Sequence, residues 1–499
     1  MSDAAGLLTP WLTGTPAGPI HVIGASGAEG VALIRYLVGE LGIQGLVAHD
    51  FSPDDRSFAR SFRNFNKAWD RREQSNIYRE FRRLPYTLYL RDDYLTGIES
   101  AGLILASQNW FNYASNRPRL FDAVSNGVPL HGVVELAMDL FPGVRLGVTG
   151  SNGKSTTCGL LANLLRTALP DDRQLFHGGN DRKAQANLID LAAAMDLDCL
   201  VWEVSNRHLR TRPVPVDIAV LTNVTANHIE DHGSWDEYVT AKARLVLHAS
   251  EASVISVGDT ESMKLLKHLR NTVWLAGGLP GASQDRPHRG LAWVDGETVM
   301  VRRPHTTEHL ALGSVRSLPL PGEHNARNLL SAVCAALAAG AEPSRLEDAW
   351  SCFAPMAGRL EEVANHEDVR WVYDIQATTA PASEAGLLAL GGNGESIVLL
   401  VGGEDKGMDY SGMADAAASV GRAVVQLPGS GSEGFVTALA GRLPVLAAED
   451  LDEGLATART LAEPGDAVLL SPGAAHFQSR FIDGGPSFAR RVRTLLGIG

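Results

Sequence analysis

The chain has 499 residues, of which 45% are hydrophobic and 20% charged, so it can fill several domain cores. At about 100–200 residues per domain, this length predicts two to four domains. The 57 acidic and 44 basic side chains give a formal net charge of −13, which argues against a broad nucleic-acid-binding surface but permits a local phosphate site.

The cysteines and the opening residues bear on the compartment of the protein. The four cysteines lie far apart, at Cys158, Cys199, Cys334 and Cys352. They form no C-x-x-C pair, which favours reduced buried thiols over a zinc site or a disulfide framework. The chain does not open with a basic segment followed by an apolar run, and no stretch reaches the ~18 apolar residues of a membrane span. We therefore expect a cytoplasmic enzyme without nucleic-acid or membrane partners.

The first region, residues 1–141, begins with a β-α-β pattern. An apolar strand at 20–23 leads into a glycine-containing turn, a helix at 31–41 and a second strand at 45–49. This order is typical of a nucleotide-binding unit with an acidic residue at the tip of its second strand. The glycines of the turn and the acidic residue are Gly24, Gly27, Gly30 and Asp50.

Residues 53–95 depart from this pattern because they are rich in arginine and aromatic side chains, as in Phe58 to Arg63 and Tyr78 to Arg83. Such a charge-dense segment predicts a solvated helical insertion. The sheet pattern resumes with a strand at 103–106.

The second region, 142–355, and the third, 356–499, continue the alternation of strands and helices. Strands of the second region are predicted at 145–149, 200–203 and 218–222, with helices at 154–169 and 328–339. Strands of the third are predicted at 369–373, 396–401, 423–427 and 467–470. This alternation predicts an α/β protein of three domains, each a mainly parallel sheet with flanking helices: Rossmann-like first and third domains and a central P-loop domain.

The strongest local signal is the segment from Gly147 to Thr157, GVTGSNGKSTT, which lies between a strand and a helix as a P-loop requires. Its glycines allow backbone N–H groups to point at phosphate oxygens, and the helix N-terminus adds a positive dipole end. Lys154 supplies a charge for the β- and γ-phosphates, and Ser155 or Thr156 a hydroxyl for Mg²⁺. The remaining ATP contacts predicted in this loop are Gly150, Asn152 and Gly153.

Three further residues could belong to the same site. Glu203 ends an apolar strand, His228 follows Thr222-Asn223, and Lys242 lies in a helical segment. Taken singly, the ordinary readings are a strand-end acid, a surface histidine and a solvated lysine.

Together, these segments resemble the motifs of the Mur ligases, in order from about residue 142 to the C-terminus. The loop is similar to their T/S-G-x-N-G-K-S/T sequence. Leu221 to His232 resembles T-N-V-x-x-D-H-x-D, with Asn227 where an aspartate is usual. The resemblance implies two Mg²⁺ ions held through Ser155, Glu203, His228 and Lys242, the last as a carbamylated lysine. It implies catalytic roles for Lys154, Lys242, His228 and Glu203.

The third region also resembles this family. The matching segments are 322–328, 358–361, the strand end at Asp374, 402–409 and 469–477. In the family these positions complete the ATP site, so the resemblance implies ATP contacts by Asn328, Arg359 and Asp374.

Within the family, the likeness is greatest to the glutamate-adding branch, judged from Gly178-Gly179-Asn180, the 402–409 turn and Ser471-Pro472. It implies a monomer that uses ATP to join D- or L-glutamate to UDP-N-acetylmuramoyl-L-alanine through an acyl phosphate. The substrate contacts implied are Gly24, Gly27, Asp50, Asn180, Thr378, Lys406, Ser471 and His476.

Several positions depart from that branch. Gln376 replaces a lysine, His476 replaces a serine, and the expected S-P-G-I turn is absent at 107–110, while 378–381 looks more like a branch that adds L-glutamate. Two alternatives therefore stay open. One is a ligase redeployed on another acceptor or amino acid, and the other is a non-catalytic P-loop partner subunit.

Overall fold

The protein is described by a computed structural model. The described residues are 18–66, 69–91, 94–107, 116–169, 174–179, 197–209, 213–225, 234–282, 284–354, 358–392, 394–405, 407–482 and 487–498. The chain divides into two compact units, one comprising residues up to 313 with 329–349, the other 314–328 with 350–499. The predicted domain limits near 141 and 355 stay predictions. Within the described residues, no helix has the length and apolar character needed to cross a membrane.

The first sheet belongs to the first unit and has the strand order β3-β2-β1-β4-β5, with every neighbouring pair parallel. Its strands are β1 (Ile20–Ile23), β2 (Val47–His49), β3 (Thr87–Tyr89), β4 (Leu103–Ala106) and β5 (Leu130–Gly132). Its helices are α1 (Ala28–Ile34, continued by a π-helical turn Arg35–Glu40), α2 (Asp55–Phe65), α3 (Arg71–Phe81), α4 (Arg117–Ser125) and α5 (Val133–Leu140). The β-α-β unit predicted from the glycine turn is thus present.

Two buried histidines pair inside this sheet. His21 Nδ1 lies 2.8 Å from His49 Nε2, and His49 Nδ1 contacts the carbonyl oxygen of Tyr94. Burial lowers the pKa of each imidazole to about 4, so both rings are neutral at pH 7.

Residues 53–95 contain two helices, as predicted for the insertion, but they also contain strand β3, which pairs with β2, and the helix pair has an apolar interior. Phe58, Phe62 and Phe81 are fully buried between α2 and α3 and belong to the main core of the unit. Asp54 caps α2 by accepting a bond from Ser57 N, and α3 begins with a capping box. The prediction of a solvated segment therefore holds only for its outer faces.

The second sheet, also in the first unit, has the order β14-β13-β12-β11-β10-β9-β6-β8-β7. Its strands are β6 (Val144–Thr149), β7 (Leu175–Gly178), β8 (Cys199–Glu203), β9 (Ile218–Leu221), β10 (Ala252–Ser256), β11 (Thr272–Ala276), β12 (Gly290–Asp295), β13 (Thr298–Arg302) and β14 (Leu310–Ser314). Its helices are α6 (Lys154–Ala168), α7 (Trp235–Leu247) and α8 (Thr260–Lys264). The strands from β6 to β12 pair in parallel, while β12 and β13 form an antiparallel pair. The sequence passes from the second unit back to the first within α9 (Glu323–Ala338), at residues 328–329, and returns to the second within α10 (Leu346–Ser351), at residues 349–350.

The third sheet belongs to the second unit and has the order β15-β16-β20-β17-β18-β19. Its strands are β15 (Glu361–His366), β16 (Val369–Tyr373), β17 (Ile397–Val401), β18 (Gly421–Gln426), β19 (Val445–Ala447) and β20 (Ala467–Leu470). Its helices are α11 (Ala380–Gly391), α12 (Ser411–Val420), α13 (Ser430–Leu439), α14 (Leu451–Leu461), α15 (Phe477–Phe481) and α16 (Phe488–Leu496). Only the β15–β16 pair is antiparallel among those described. The predicted α/β class with three mainly parallel sheets is confirmed.

Candidate active site

The phosphate loop joins β6 to α6, and its shape depends on two glycines. Gly150 has φ +151° and Gly153, at the start of α6, has φ +79°. A Cβ atom on Gly150 would lie 1.9 Å from Thr222 Oγ1, so only glycine fits at this position. The loop backbone therefore curls directly against the residues that follow β9.

Side chains after β9 hold this loop in place. Asn223 Oδ1 accepts a bond from Asn152 N at 2.9 Å, and its Nδ2 donates to Asn152 O at 3.0 Å. Thr222 Oγ1 donates to the same carbonyl at 2.6 Å. On the other side, Ser151 Oγ lies 2.8 Å from Tyr238 Oη. These bonds fix the loop before any ligand binds, which is the preorganisation that phosphate recognition needs.

Lys154 and Ser155 open helix α6 in front of this loop. Lys154 Nζ donates to the carbonyl oxygens of Gly150 and Ser151, both at 3.0 Å. Ser155 Oγ donates to Glu203 Oε2 at 2.6 Å. The backbone of Gly179 approaches Glu203 so closely that a Cβ on this glycine would lie 2.5 Å from Glu203 Cβ. The predicted metal-binding hydroxyl and carboxylate are thus in contact.

Lys242 lies on α7, and its side chain contacts the same loop. Its side chain is 1% exposed, and Nζ donates to Gly150 O at 2.7 Å. Burial, followed by the charge of Lys154, holds the pKa of Lys242 well below its usual range, while Glu203 acts in the opposite direction. Lys242 is therefore not the solvated lysine that its residue type alone would predict for a helix, but a fully buried lysine that interacts with a second lysine.

The oxygen donors of this cluster suit a hard divalent ion, since Mg²⁺ is held in proteins by one or two carboxylates together with substrate phosphates. Ser155 and Glu203 supply such oxygens. Among the described residues, no three His, Cys, Asp or Glu side chains group closely enough to form an all-protein metal cage. His228, predicted as a further ligand, lies outside the described residues.

The glycine turn of the first sheet has a closed geometry. Gly24 N and Ala25 N both donate to His49 O, and a Cβ on Gly30 would lie 2.1 Å from Gly24 O. Asp50 is 1% exposed, and its carboxylate accepts bonds from Ser26 N at 2.9 Å and from Ser52 N and Oγ at 3.0 and 2.7 Å. The carboxylate therefore shapes the turn, and its direct contact with substrate, like those of Gly24 and Gly27, stays a prediction.

In the second unit, Asp374 directly follows β16 and is buried. Ser471 Oγ lies 3.1 Å from its Oδ2, and Leu360 N donates to its Oδ1 at 3.3 Å. Burial raises the pKa of Asp374 to about 7, although the charge of Arg359 and these bonds act to lower it. Asn328 belongs to the same unit, where its Nδ2 donates to Asn325 Oδ1. The predicted ATP contacts of Asn328, Arg359 and Asp374 stay predictions.

Some of the residues predicted to contact the amino acid lie in segments of this unit that contact each other. Glu404, in the 402–409 turn, pairs through its backbone with Ala475 and through its side chain with Arg480. These contacts join the turn to the segment that carries Ser471 and His476. His476 and Thr378 are exposed, whereas Ser471 is fully buried. Asn180 and Lys406 lie outside the described residues.

Sequence reasoning missed two residues of the phosphate site as contributors. Thr222 packs against Gly150 and bonds Asn152 O, while Tyr238 bonds Ser151 and lies one helical turn before Lys242, its ring centroid 4.5 Å from Nζ. Thr222 lies in the segment from Leu221 to His232 that resembles the family motif, and Tyr238 lies four residues before Lys242. Neither has a side chain that by itself suggests catalysis.

Comparisons with known proteins agree with this geometry. Residues 148–336 match the family model for the Mur ligase middle domain. The UDP-N-acetylmuramoylalanine–D-glutamate ligase of Symbiobacterium thermophilum is 31% identical over 424 residues, which cover 83% of this chain and 89% of that protein. The ligase of the same name from Acidobacterium capsulatum is 32% identical over 367 residues, covering 72% and 76%.

Solved structures share the fold at lower identity. MurC from Thermotoga maritima, a UDP-N-acetylmuramate–alanine ligase, covers 95% of this chain and 98% of its own, with a TM-score of 0.55 and 15% identity. A pseudomurein peptide ligase type C from Methanothermus fervidus covers 96% and 99%, with a TM-score of 0.53 and 16% identity. The phosphate loop, its Ser155–Glu203 contact and the buried lysine occur in a chain that matches these proteins over most of its length. The chain belongs to the Mur ligase family and is an ATP-dependent, Mg²⁺-requiring amide ligase acting on small molecules.

Proposed function

We propose that this protein is a UDP-N-acetylmuramoyl-L-alanine:glutamate ligase of peptidoglycan precursor synthesis, working in the cytoplasm as a monomer. The observation that carries the proposal is the preorganised phosphate loop with Lys154, Ser155, Glu203 and the buried Lys242 around it. The substrates in this proposal are those in the names of the relatives, which are called D-glutamate ligases.

In the proposed reaction, the carboxylate of the acceptor attacks the γ-phosphate of ATP, and ADP leaves. The amine of glutamate then attacks the resulting acyl phosphate, releasing phosphate and leaving an amide. Lys154 and the N–H groups at the start of α6 stabilise the negative charge of the transferring phosphoryl group.

Two Mg²⁺ ions are proposed, with Ser155, Glu203, His228 and a carbamylated Lys242 as protein ligands. When bound, the ions would neutralise the crowded phosphate oxygens. The burial of Lys242 supports carbamylation, because a lowered pKa leaves a neutral amine to attack CO₂. Its nitrogen forms a bond to carbon and loses one proton. The product carries the oxygen donors that Mg²⁺ requires and that an ammonium lacks.

The substrate contacts are proposed from the family positions. The glycine turn with Gly24, Gly27 and Asp50 would take the nucleotide end of the acceptor, since its helix N-terminus is suited to an anion. Thr378, Lys406, Ser471 and His476, with Asn180, would contact glutamate or the acceptor peptide.

A phosphate-release assay tests this function. Purified protein with ATP and Mg²⁺ is supplied with UDP-N-acetylmuramoyl-L-alanine and, separately, D- or L-glutamate. We expect release that requires the acceptor and one isomer of glutamate, with the amide product seen by mass spectrometry. Turnover of neither isomer, beside turnover of an unrelated carboxylate, would retire the cell-wall substrate while leaving the ligase chemistry.

A further inference from the structure

The helix pair α2–α3 contacts the glycine turn directly. Asn66, which follows α2, is 2% exposed, and its Nδ2 donates to Ser26 O at 3.1 Å. Asp50 holds the N–H of the same serine. Gln74, in α3, donates to Asn66 O at 2.8 Å and also approaches Arg63 O. The backbone of the turn is therefore clamped between the end of β2 and the insertion.

The two helices are antiparallel, and their contacts identify which end of the helix pair lies at the glycine turn. Asp55 pairs with Arg82 at 3.0 Å, whereas Phe62 packs on Tyr78 and Asn66 meets Gln74. The end of α2 and the start of α3, together called the connection end of the pair, thus lie beside the carboxyl end of β1, where ligands bind in open α/β sheets. The Asp55–Arg82 end lies away from it, since an 11-residue helix is about 16 Å long.

The charge of the insertion is opposite to that of the chain as a whole. Residues 55–83 hold eight arginines and one lysine against four carboxylates, in a protein of net charge −13. Arg63, in the last turn of α2, and Arg71, in the first turn of α3, are exposed at the connection end. Arg71 opposes the dipole of its own helix and lies on the same face as Gln74, three residues on. A cation at this place costs helix stability, which a bound anion would offset.

We propose that the α2–α3 insertion is part of the acceptor-binding site, with Arg63 and Arg71 contacting the diphosphate of the nucleotide carried by the acceptor. The inference rests on the proposed function in one respect, that the glycine turn takes the acceptor. It adds a binding element that the family motifs do not contain. Asn66 is a positioning residue, because it orders the turn without reaching the ligand.

Titration of UDP by calorimetry tests the inference separately from catalysis, because UDP carries the diphosphate without the muramoyl peptide. The variant Arg63→Glu/Arg71→Glu reverses both charges at the connection end. The matched control Arg56→Glu/Arg83→Glu reverses one arginine of α2 and one just after α3 at the far end. Both arginines of the control are also exposed. The neutral pair Arg63→Gln/Arg71→Gln removes the charges without introducing repulsion, and circular dichroism compares the folding of all three.

We expect the connection variant to raise the Kd for UDP about tenfold or more, the neutral pair to raise it less, and the control to change it less than twofold. The difference should shrink as salt is raised from about 0.05 to 0.5 M, because exposed charges are screened. Equal losses in the connection and control variants, or no UDP binding by the wild type, would overturn the inference. Absent glutamate ligation with this UDP pattern intact would instead refute the proposed function alone.

Discussion

Replacing Gly150 by alanine is the sharpest test of how the phosphate loop works. The new Cβ would overlap Thr222 Oγ1 at 1.9 Å and press on Asn223 N at 3.2 Å. Thr222 and Asn223 both bond the backbone of Asn152. The overlap can therefore be relieved only if the loop or these two residues move. The site would be reshaped without the loss of any charged or catalytic group.

The magnitude follows from two terms. A non-glycine residue at φ +151° costs about 1–3 kcal/mol of backbone strain. Loss of the Thr222 hydroxyl bond to Asn152 O adds about 1 kcal/mol. If these 2–4 kcal/mol are taken from transition-state stabilisation, kcat/KM for ATP falls about 30- to 1000-fold.

Steady-state phosphate release measures this fall, and thermal unfolding measures the accompanying loss of stability. Gly127→Ala is the control, since Gly127 also has positive φ, at +91°, but no atom lies within 4 Å of its Cβ position. The control should lower stability by strain alone and keep ATP kinetics. If Gly150→Ala retains kcat/KM within twofold of wild type while unfolding as the control does, the preorganised loop is not what binds phosphate.

Three further outcomes are expected. Lys154→Ala should abolish ATP turnover while changing the free energy of unfolding by about 1 kcal/mol or less, because the side chain is half-buried and its Nζ donates to loop carbonyls; unchanged phosphate release would refute the P-loop assignment. Lys242→Ala should abolish ligation, with partial rescue by a short carboxylic acid that supplies the missing oxygens; wild-type turnover without rescue would remove the carbamate from the mechanism. His21 and His49 have folded pKa values near 4, below the ordinary 6.5, so the unfolded chain binds more protons between these pH values. Stability should be full above pH 6.5 and fall by about 3 kcal/mol or more by pH 4, and a chemical-denaturation series that is flat with pH would contradict the neutral pair.

The contact between Ser155 and Glu203 in the candidate site was predictable because both residues lie at sequence positions with fixed structural meaning. The strand–loop–helix context of Lys154 and the strand end at Glu203 both follow from local pattern, and the structure brings Ser155 and Glu203 into contact. The helical spacing places Lys242 on the same face as Tyr238 and Leu245, which is the buried face of α7. Because lysine is rarely buried, the residue type favoured a solvated side chain, and only the resemblance to the family pointed to a role in the site.

Tertiary contacts explain what the sequence did not reveal. The acid at Asp50 has the place of a ligand-binding residue, yet its carboxylate is occupied by Ser26 and Ser52. The spacing of Phe58, Phe62 and Phe81 places them on inner helix faces, but composition alone emphasised the arginines between them. The antiparallel pairing of β12 with β13 likewise depends on a short turn that joins two strands directly. The prediction assumed that strands alternate with helices throughout the chain, so it did not include this pair.

The strand order explains why distant motifs converge. β6 lies between β8 and β9, with Val148 opposite Glu203 and Thr149 opposite Leu221. Because all three strands are parallel, the phosphate loop, the Glu203 carboxylate and the Thr222-Asn223 clamp must emerge at one edge. The register of these paired strands fixes the relative positions of the three groups more rigidly than loops alone would. Substitutions that change substrate choice are therefore expected outside this edge, in the helix pair at 55–81 and the exposed turns of the second unit.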